Sequence, residues 1–108
     1  IKEKEMQKCL KDACSAPVET MALVFEGINL HEELADMASV TIISDIGVGV
    51  QLLKAALNSA YLNVIINVNS INDDEYVNNI RERAEKLLIE GNKKADEIWN
   101  KVLQILKA

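Results

Sequence analysis

The stretch Ser44-Asp45-Ile46-Gly47-Val48-Gly49, continued by Ala60-Tyr61-Leu62-Asn63-Val64-Ile65-Ile66-Asn67, decides the fold of this chain. Ser44 has the character of a helix N-cap, and Asp45 would then lie in the first turn, where the helix dipole favours a negative charge. Residues spaced alternately by four and three follow, which predicts one face of a helix. The members of that face are Gly49, Leu53, Ala56, Ala60, Asn63 and Asn67.

A second apolar stripe runs beside this face and predicts that the helix is central in the fold. Its members are Val48, Leu52, Ala55, Leu62 and Ile66. A helix that is apolar around much of its girth is normally buried, and buried amides such as Asn63 and Asn67 cost roughly 1–3 kcal/mol each unless they find partners. The alternation around Val64 and Val68 favours a strand locally, but a lone strand would have no partner, so we predict helix throughout.

Helical patterns also precede and follow this stretch. The first runs from Lys2 to about Ala38, and Pro17 predicts either a kink or a new helix start near Ala16. The β-branched segment 39–43 is predicted as a connection and 70–74 as a polar turn, with Asp73 or Asp74 capping the last helix. The predicted seam of that helix is Val77, Ile80, Ala84, Leu87 or Leu88, Gly91, Ala95, Ile98, Val102 and Ile105. We therefore predict an all-α fold, an antiparallel bundle of long helices that is part of a larger helical domain.

Composition narrows the class of protein. The 108 residues are 49% hydrophobic and only 4% aromatic, and 12 basic against 17 acidic residues give a net charge of −5. This balance argues against a nucleic-acid or anionic-membrane partner. Residues 46–68 are long enough to span a bilayer, but Lys54 and four amide side chains make a membrane helix an unfavourable interpretation. Cys9 and Cys14 have no metal-ligand spacing, and reduced thiols in a cytoplasmic protein are expected.

The segments Ile43–Gly49 and Ala60–Asn67 resemble the formiminotetrahydrofolate cyclodeaminase and methenyltetrahydrofolate cyclohydrolase family. Asn69-Ser70, Ala16-Pro17-Val18 and the acidic-led last helix from Asp73 are similar to the family in place and character. The family usually has an Asn-Pro-Asn-like turn where this chain has Ser39-Val40-Thr41-Ile42. The resemblance implies that residues 1–108 are the C-terminal half of the family's domain, because the glycine-rich segment and catalytic base of the first half have no counterpart.

The resemblance implies a fold, a reaction and partners. Members are all-α and form homodimers or larger homo-oligomers, so this chain is expected to self-associate and to pack against the missing N-terminal half. The reaction is closure of 5-formiminotetrahydrofolate to 5,10-methenyltetrahydrofolate with release of ammonia, or hydrolysis of the methenyl bridge. Neither reaction uses a metal or an organic cofactor, and the folate is a substrate. The chain alone is expected to be inactive without the first half.

Four residues are candidates for the site. The resemblance makes Asp45 the catalytic or pterin-contacting carboxylate and Ser44, Asn63 and Asn67 substrate-binding residues. Each residue also has a structural alternative. Ser44 and Asp45 could simply cap and start a helix, and Asn63 and Asn67 could be buried amides that form hydrogen bonds with a neighbouring helix. His31 is expected to face solvent. The alternative function for the whole chain is a helical dimerisation or interaction module without catalytic activity.

Overall fold

Three long helices account for nearly the whole chain in the computed structural model, which describes residues 1–108. They are α1 (Lys2–Met37), α2 (Val40–Val68) and α3 (Asp74–Lys107). Short connections reverse the chain twice, and each helix contacts both of the others. The result is an antiparallel three-helix bundle that measures 63 × 17 × 17 Å. The all-α prediction is confirmed, and α2 is helical through Val64 and Val68, where local propensity favours a strand.

The core consists of aliphatic residues from all three helices. The α3 seam predicted from the sequence is confirmed, since Val77, Ala84 and Ile98 are buried and Ile80 and Ile105 pack against the core. The buried residues of α2 are Ile43, Ile46, Gly47, Val50, Leu57, Ala60, Val64 and Val68. These positions recur at helical spacing, so a single stripe of α2 faces the other two helices.

The predicted start of α2 is wrong. The helix begins at Val40 with Ser39 as its N-cap residue, so Ser44 and Asp45 lie in the second turn and Ser44 is not a cap. The β-branched segment 39–43 is therefore helical from Val40 onward. β-Branching costs a helix only a few tenths of a kcal/mol per residue, whereas burying Ile43 and Ile46 in the core gains more.

The predicted inward face of α2 is also partly wrong. Ala56 and Asn63 are exposed, Asn67 is half-buried, and the neighbouring stripe that includes Leu52 and Ile66 faces solvent. In a three-helix bundle each helix packs against two neighbours, so the third side of an all-round apolar helix stays open. By length and composition alone, α2 could also cross a membrane.

Pro17 lies inside α1 without interrupting it. Proline has no N–H, so it cannot donate the helical hydrogen bond to the carbonyl of Ala13. The side-chain Nδ2 of Asn67 donates to that oxygen at 3.4 Å. Helix α1 is therefore continuous, and no new helix starts at Pro17. The Ala13 carbonyl, which Pro17 leaves without its helical donor, accepts a hydrogen bond from Asn67 of α2.

A capped and charged contact fixes the start of α3, as predicted for Asp73. Its side chain accepts a hydrogen bond from the Tyr76 backbone N–H at 3.1 Å and one from Lys11 Nζ at 2.7 Å. The hydroxyl of Tyr76 donates to the Lys11 carbonyl at 3.2 Å, so the Tyr76 ring lies at the contact between α3 and α1. The Lys11 hydrogen bond, followed by that from Tyr76, lowers the pKa of Asp73 below its usual 3.8.

The lowered pKa of Asp73 predicts acid-sensitive stability. A carboxyl whose pKa is depressed by folding stabilises the native state above its unfolded-state pKa and loses that contribution as the pH falls through the folded-state value. Chemical unfolding at about pH 5 and about pH 3 measures the change. Asp73→Asn keeps a good N-cap but cannot titrate, so its stability should fall less between the two pH values. Equal losses in the two proteins would contradict the assignment.

The contact between α2 and α3 contains a pair of amides that the sequence did not reveal. Asn58 and Asn92 exchange two side-chain hydrogen bonds of 3.1 and 2.9 Å. Each amide also donates to the carbonyl four residues earlier in its own helix. One turn away, Lys54 Nζ lies 2.6 Å from Asp96 Oδ1. These polar groups of α2 therefore have specific partners in α3.

The amide pair gives a stability prediction by double-mutant cycle. Asn58→Leu leaves the Asn92 amide half-buried without its partner, so we expect a loss of about 1–2 kcal/mol in the free energy of unfolding. Adding Asn92→Leu should cost less than the sum of the single changes, with a coupling of about 1 kcal/mol. Denaturant unfolding of the four proteins gives the cycle. Strict additivity would show that the two amides do not interact.

Candidate active site

An open cavity of about 310 Å³ lies beside the connection between α1 and α2. Its lining residues are His31, Leu34, Met37, Ala38, Ile42, Asp45 and Ile46. Five of the seven are hydrophobic, and the two others, His31 and Asp45, are titratable. An apolar concave surface with a few convergent polar groups is typical of a small-molecule site.

The chain turn between α1 and α2 positions both titratable residues. Ala38 and Ser39 are extended, which ends α1 at Met37 and lets α2 begin immediately. Burial of Ile43 and Ile46 then fixes the rotation of the first turns of α2. Asp45 lies between them on the outer side, so its carboxylate is exposed at the cavity wall.

His31 is held by a backbone hydrogen bond and by a glycine. Its Nδ1 lies 2.8 Å from the carbonyl oxygen of Gly27, which can only accept, so Nδ1 carries the proton and Nε2 keeps its lone pair in the neutral ring. A Cβ at Gly49 would lie 2.5 Å from Nε2. The missing side chain at Gly49 therefore provides the space that the imidazole occupies beside α2.

Substituting Gly49 should displace the imidazole of His31. Alanine for glycine normally favours a helix by about 1 kcal/mol, but in Gly49→Ala the contact with His31 opposes this gain. Gly27→Ala is the matched control, because its Cβ would meet Leu53 at an ordinary 3.4 Å. We expect Gly27→Ala to raise the thermal midpoint and Gly49→Ala to leave it unchanged or lower it, with a shifted His31 ring signal by NMR. An unshifted ring signal would contradict the contact.

The structure separates the four predicted site residues into two groups. Asp45 lines the cavity, and Ser44 is exposed next to it in the sequence. Asn63 and Asn67 lie near the other end of α2, and the 18 residues from Asp45 to Asn63 correspond to about 27 Å along the helix. The chain by itself does not bring the two groups into one cavity. Their catalytic and substrate-binding roles remain predictions.

His31 is the residue that sequence reasoning placed in solvent, whereas the structure half-buries it against α2. A signal for this position was present. The buried residues Ile28 and Ala35 of α1 lie three residues before and four after His31, so helical spacing puts His31 on the inward face. The adjacent Glu32 and Glu33 obscured this spacing. No group of three or more His, Cys, Asp or Glu side chains comes together as a metal site would require.

The two cysteines differ in environment. Cys9 is exposed, whereas Cys14 is buried in the core of the bundle. Burial disfavours the thiolate and so raises the pKa of the Cys14 thiol. Cys14 is accordingly a core residue, and neither thiol lines the cavity.

Comparison with known proteins gives consistent matches. Residues 1–86 match the family model described as formiminotransferase-cyclodeaminase. A methenyltetrahydrofolate cyclohydrolase from Methylorubrum extorquens is 32% identical over 98 residues, which cover 91% of this chain and 47% of that protein. The formimidoyltransferase-cyclodeaminases of Rattus norvegicus and Sus scrofa are 29% and 30% identical, over 83% of this chain and 17% of each relative.

The matches cover most of this chain but only part of each relative's length. The family model covers all of α1 and α2 and the first part of α3, including the cavity and both groups of predicted site residues. The chain spans about half the length of the cyclohydrolase and a smaller share of the two transferase-cyclodeaminases. On the extent of the family match, this chain belongs to the formiminotransferase-cyclodeaminase family.

Proposed function

We propose that this chain forms part of the active site of a folate-dependent one-carbon enzyme. Its substrate is 5-formiminotetrahydrofolate, which it helps to close to 5,10-methenyltetrahydrofolate with release of ammonia, or the methenyl compound itself, which it helps to hydrolyse. The observation that supports this proposal is the cavity in which the side chains of Asp45 and His31 adjoin an apolar wall. Family membership supports the reaction class.

The closure reaction requires two proton movements. N10 of the folate attacks the carbon of the protonated formimino group and loses its proton, while the departing amino nitrogen gains one proton and leaves as ammonia, so the positive charge stays on the methenyl bridge. When the His31 imidazole is neutral, its Nε2 has a lone pair, and in that form the ring is suited to take up the N10 proton. The carboxylate of Asp45 is suited to stabilise the positive charge that the N5–C–N10 bridge acquires.

The hydrolytic reaction uses the same groups differently. Water adds to the methenyl carbon and a base removes one of its protons. The hydroxyl of the adduct then loses its proton and N5 gains one as the bond from the carbon to N5 breaks, which gives the 10-formyl product. His31 would act as the base, and Asp45 would attract the cationic substrate. Because one cavity serves both chemistries, the proposal includes both.

Further parts of the active site are proposed to lie on a segment that corresponds to the rest of the relatives' length. This chain covers 47% of the cyclohydrolase from Methylorubrum extorquens. We therefore expect it to bind the methenyl compound and to need the N-terminal half of the domain for turnover. A cytoplasmic location remains part of the proposal.

Titration with 5,10-methenyltetrahydrofolate tests the proposed function directly. Calorimetry and the absorbance of the methenyl chromophore report binding and chemical change separately. We expect saturable binding by the 108-residue chain without loss of the chromophore. Absence of saturable binding would overturn the proposal, and loss of the chromophore at an enzymatic rate would overturn the requirement for a further segment.

A specific observation favours the non-catalytic interaction module as the second candidate. The Nδ2 of Asn67 already has a structural partner in the carbonyl of Ala13, which Pro17 leaves open. Asn67→Asp and exposed Asn63→Ala distinguish the candidates by binding and thermal melting. Weakened folate binding at an unchanged melting temperature would support a site, whereas lost stability with unchanged binding would support the module.

A further inference from the structure

Two glycines in one turn of α2 accept close contacts from opposite sides of the helix. Gly47 and Gly49 are both helical, although glycine in a helix interior is less stable than alanine. A Cβ at Gly47 would lie 3.0 Å from Cγ1 of Val102 on α3, and a Cβ at Gly49 would lie 2.5 Å from Nε2 of His31 on α1. Both distances are shorter than ordinary van der Waals contact. Each glycine therefore makes room for a side chain of a neighbouring helix.

Val102 packs behind the turn of α2 that carries Asp45. Successive residues of an α-helix are rotated by about 100°, so Gly47 points about 160° away from both Asp45 and Gly49. The contact with Val102 and the side chain of Asp45 therefore lie on opposite sides of this turn. Val102 is only 2% exposed, and none of the seven residues that line the cavity comes from α3. Any effect of Val102 on the cavity must therefore pass through α2.

Polar contacts with α1 help to hold Val102 at one level of the bundle. Lys101, its neighbour in the sequence, forms an ion pair with Asp36 near the end of α1. Two turns earlier, Lys94 Nζ donates to Asn29 Oδ1 at 2.6 Å. These contacts tie the C-terminal part of α3 to the last turns of α1, where α1 adjoins the cavity. Val102 therefore stays opposite Gly47 through more than its own packing.

We propose that Val102 is a positioning residue for the cavity: through Gly47 it sets how far the α2 turn that carries Asp45 lies from His31. Close-packed interiors transmit displacements, and neither glycine contact leaves free space to absorb one. A turn pushed away from α3 would move toward the imidazole, and a turn released toward α3 would move away from it. Val102 lies beyond residues 1–86, so the family match assigns it no role. The importance of this spacing for folate rests on the proposed function.

An exchange of side-chain size between α2 and α3 tests the proposal. Gly47→Ala inserts a Cβ against Val102, so one of the two helices must give by a few tenths of an ångström. Val102→Ala removes the contact instead. In the double variant Gly47→Ala/Val102→Ala the two Cβ atoms would meet at 3.6 Å, which is an ordinary contact. Each single variant should therefore displace the turn, and the double variant should restore it.

The NMR signals of the His31 ring report the position of the turn without any folate. His31 is the single histidine of the chain, so its ring signals need no further assignment. We expect shifted ring signals in both single variants and a return toward the wild-type signals in the double variant. Val77→Ala is the matched control, because Val77 is also a buried valine of α3 and lies about 38 Å along the helix from Val102. It should lower the thermal midpoint but leave the ring signals unchanged.

Binding of 5,10-methenyltetrahydrofolate gives the second measurement. Both single variants should weaken it about 2- to 30-fold, and the double variant should recover most of that loss. Wild-type ring signals in both single variants, an equal shift in Val77→Ala, or shifted signals with unchanged binding would overturn the proposal. If Gly47→Ala does not fold, the comparison of Val102→Ala with Val77→Ala decides in the same way. The expected ring shifts in a chain that does not bind the compound would overturn only the proposed function.

Discussion

Asp45→Asn is expected to weaken the binding of 5,10-methenyltetrahydrofolate about 10- to 100-fold, because the substitution removes the only carboxylate that lines the cavity. The methenyl bridge is cationic, and a charge-assisted contact with a carboxylate contributes about 1.5–3 kcal/mol. Asparagine keeps the size and hydrogen-bonding capacity of the side chain but removes its charge. Calorimetric titration of both proteins measures the ratio of dissociation constants.

Asp12→Asn is the control for this prediction. Asp12 is also exposed, and it lies in the N-terminal part of α1, about 28 Å along the helix from His31. The same change of net charge there should leave the dissociation constant within about twofold. Equal weakening in both variants would mean that general attraction by the acidic chain, and not Asp45, binds the cation. Unchanged binding in Asp45→Asn would remove this residue from the site.

Leu57→Ala is expected to lower the free energy of unfolding by about 2–5 kcal/mol, the largest stability effect we predict. Leu57 is fully buried and lies against Gly91, where a Cβ would come within 2.5 Å of its Cδ2. Truncation leaves a cavity between α2 and α3 that long, packed helices can fill only partly. Denaturant unfolding monitored by circular dichroism gives the difference.

Leu23→Ala provides the matched comparison for Leu57→Ala. Leu23 is 66% exposed on α1, so the same chemical change should cost less than about 0.5 kcal/mol. A similar loss at both positions would mean that Leu57 is not in a close-packed core. Both unfolding curves are to be measured at one protein concentration, because any self-association would make the apparent stability depend on concentration.

Periodicity in α3 and around Asp73 was sufficient to predict local structure. A helix with one apolar stripe and otherwise charged sides can bury only that stripe. An aspartate that follows a turn and precedes a helix is a preferred N-cap residue. Both predictions are confirmed. At the start of α2 the same reasoning failed, because the weak propensities of 39–43 are outweighed by burial of Ile43 and Ile46, which only packing reveals.

The sequence by itself determined the helical class and the family, because these depend on spacing and on motifs that are local in the chain. Only the tertiary structure decided which side of α2 is open and that His31 faces Gly49. Those properties depend on the rotation of one helix against two others. A helix that is apolar on several sides leaves that rotation undetermined until the neighbouring side chains, such as Leu57 against Gly91, select it.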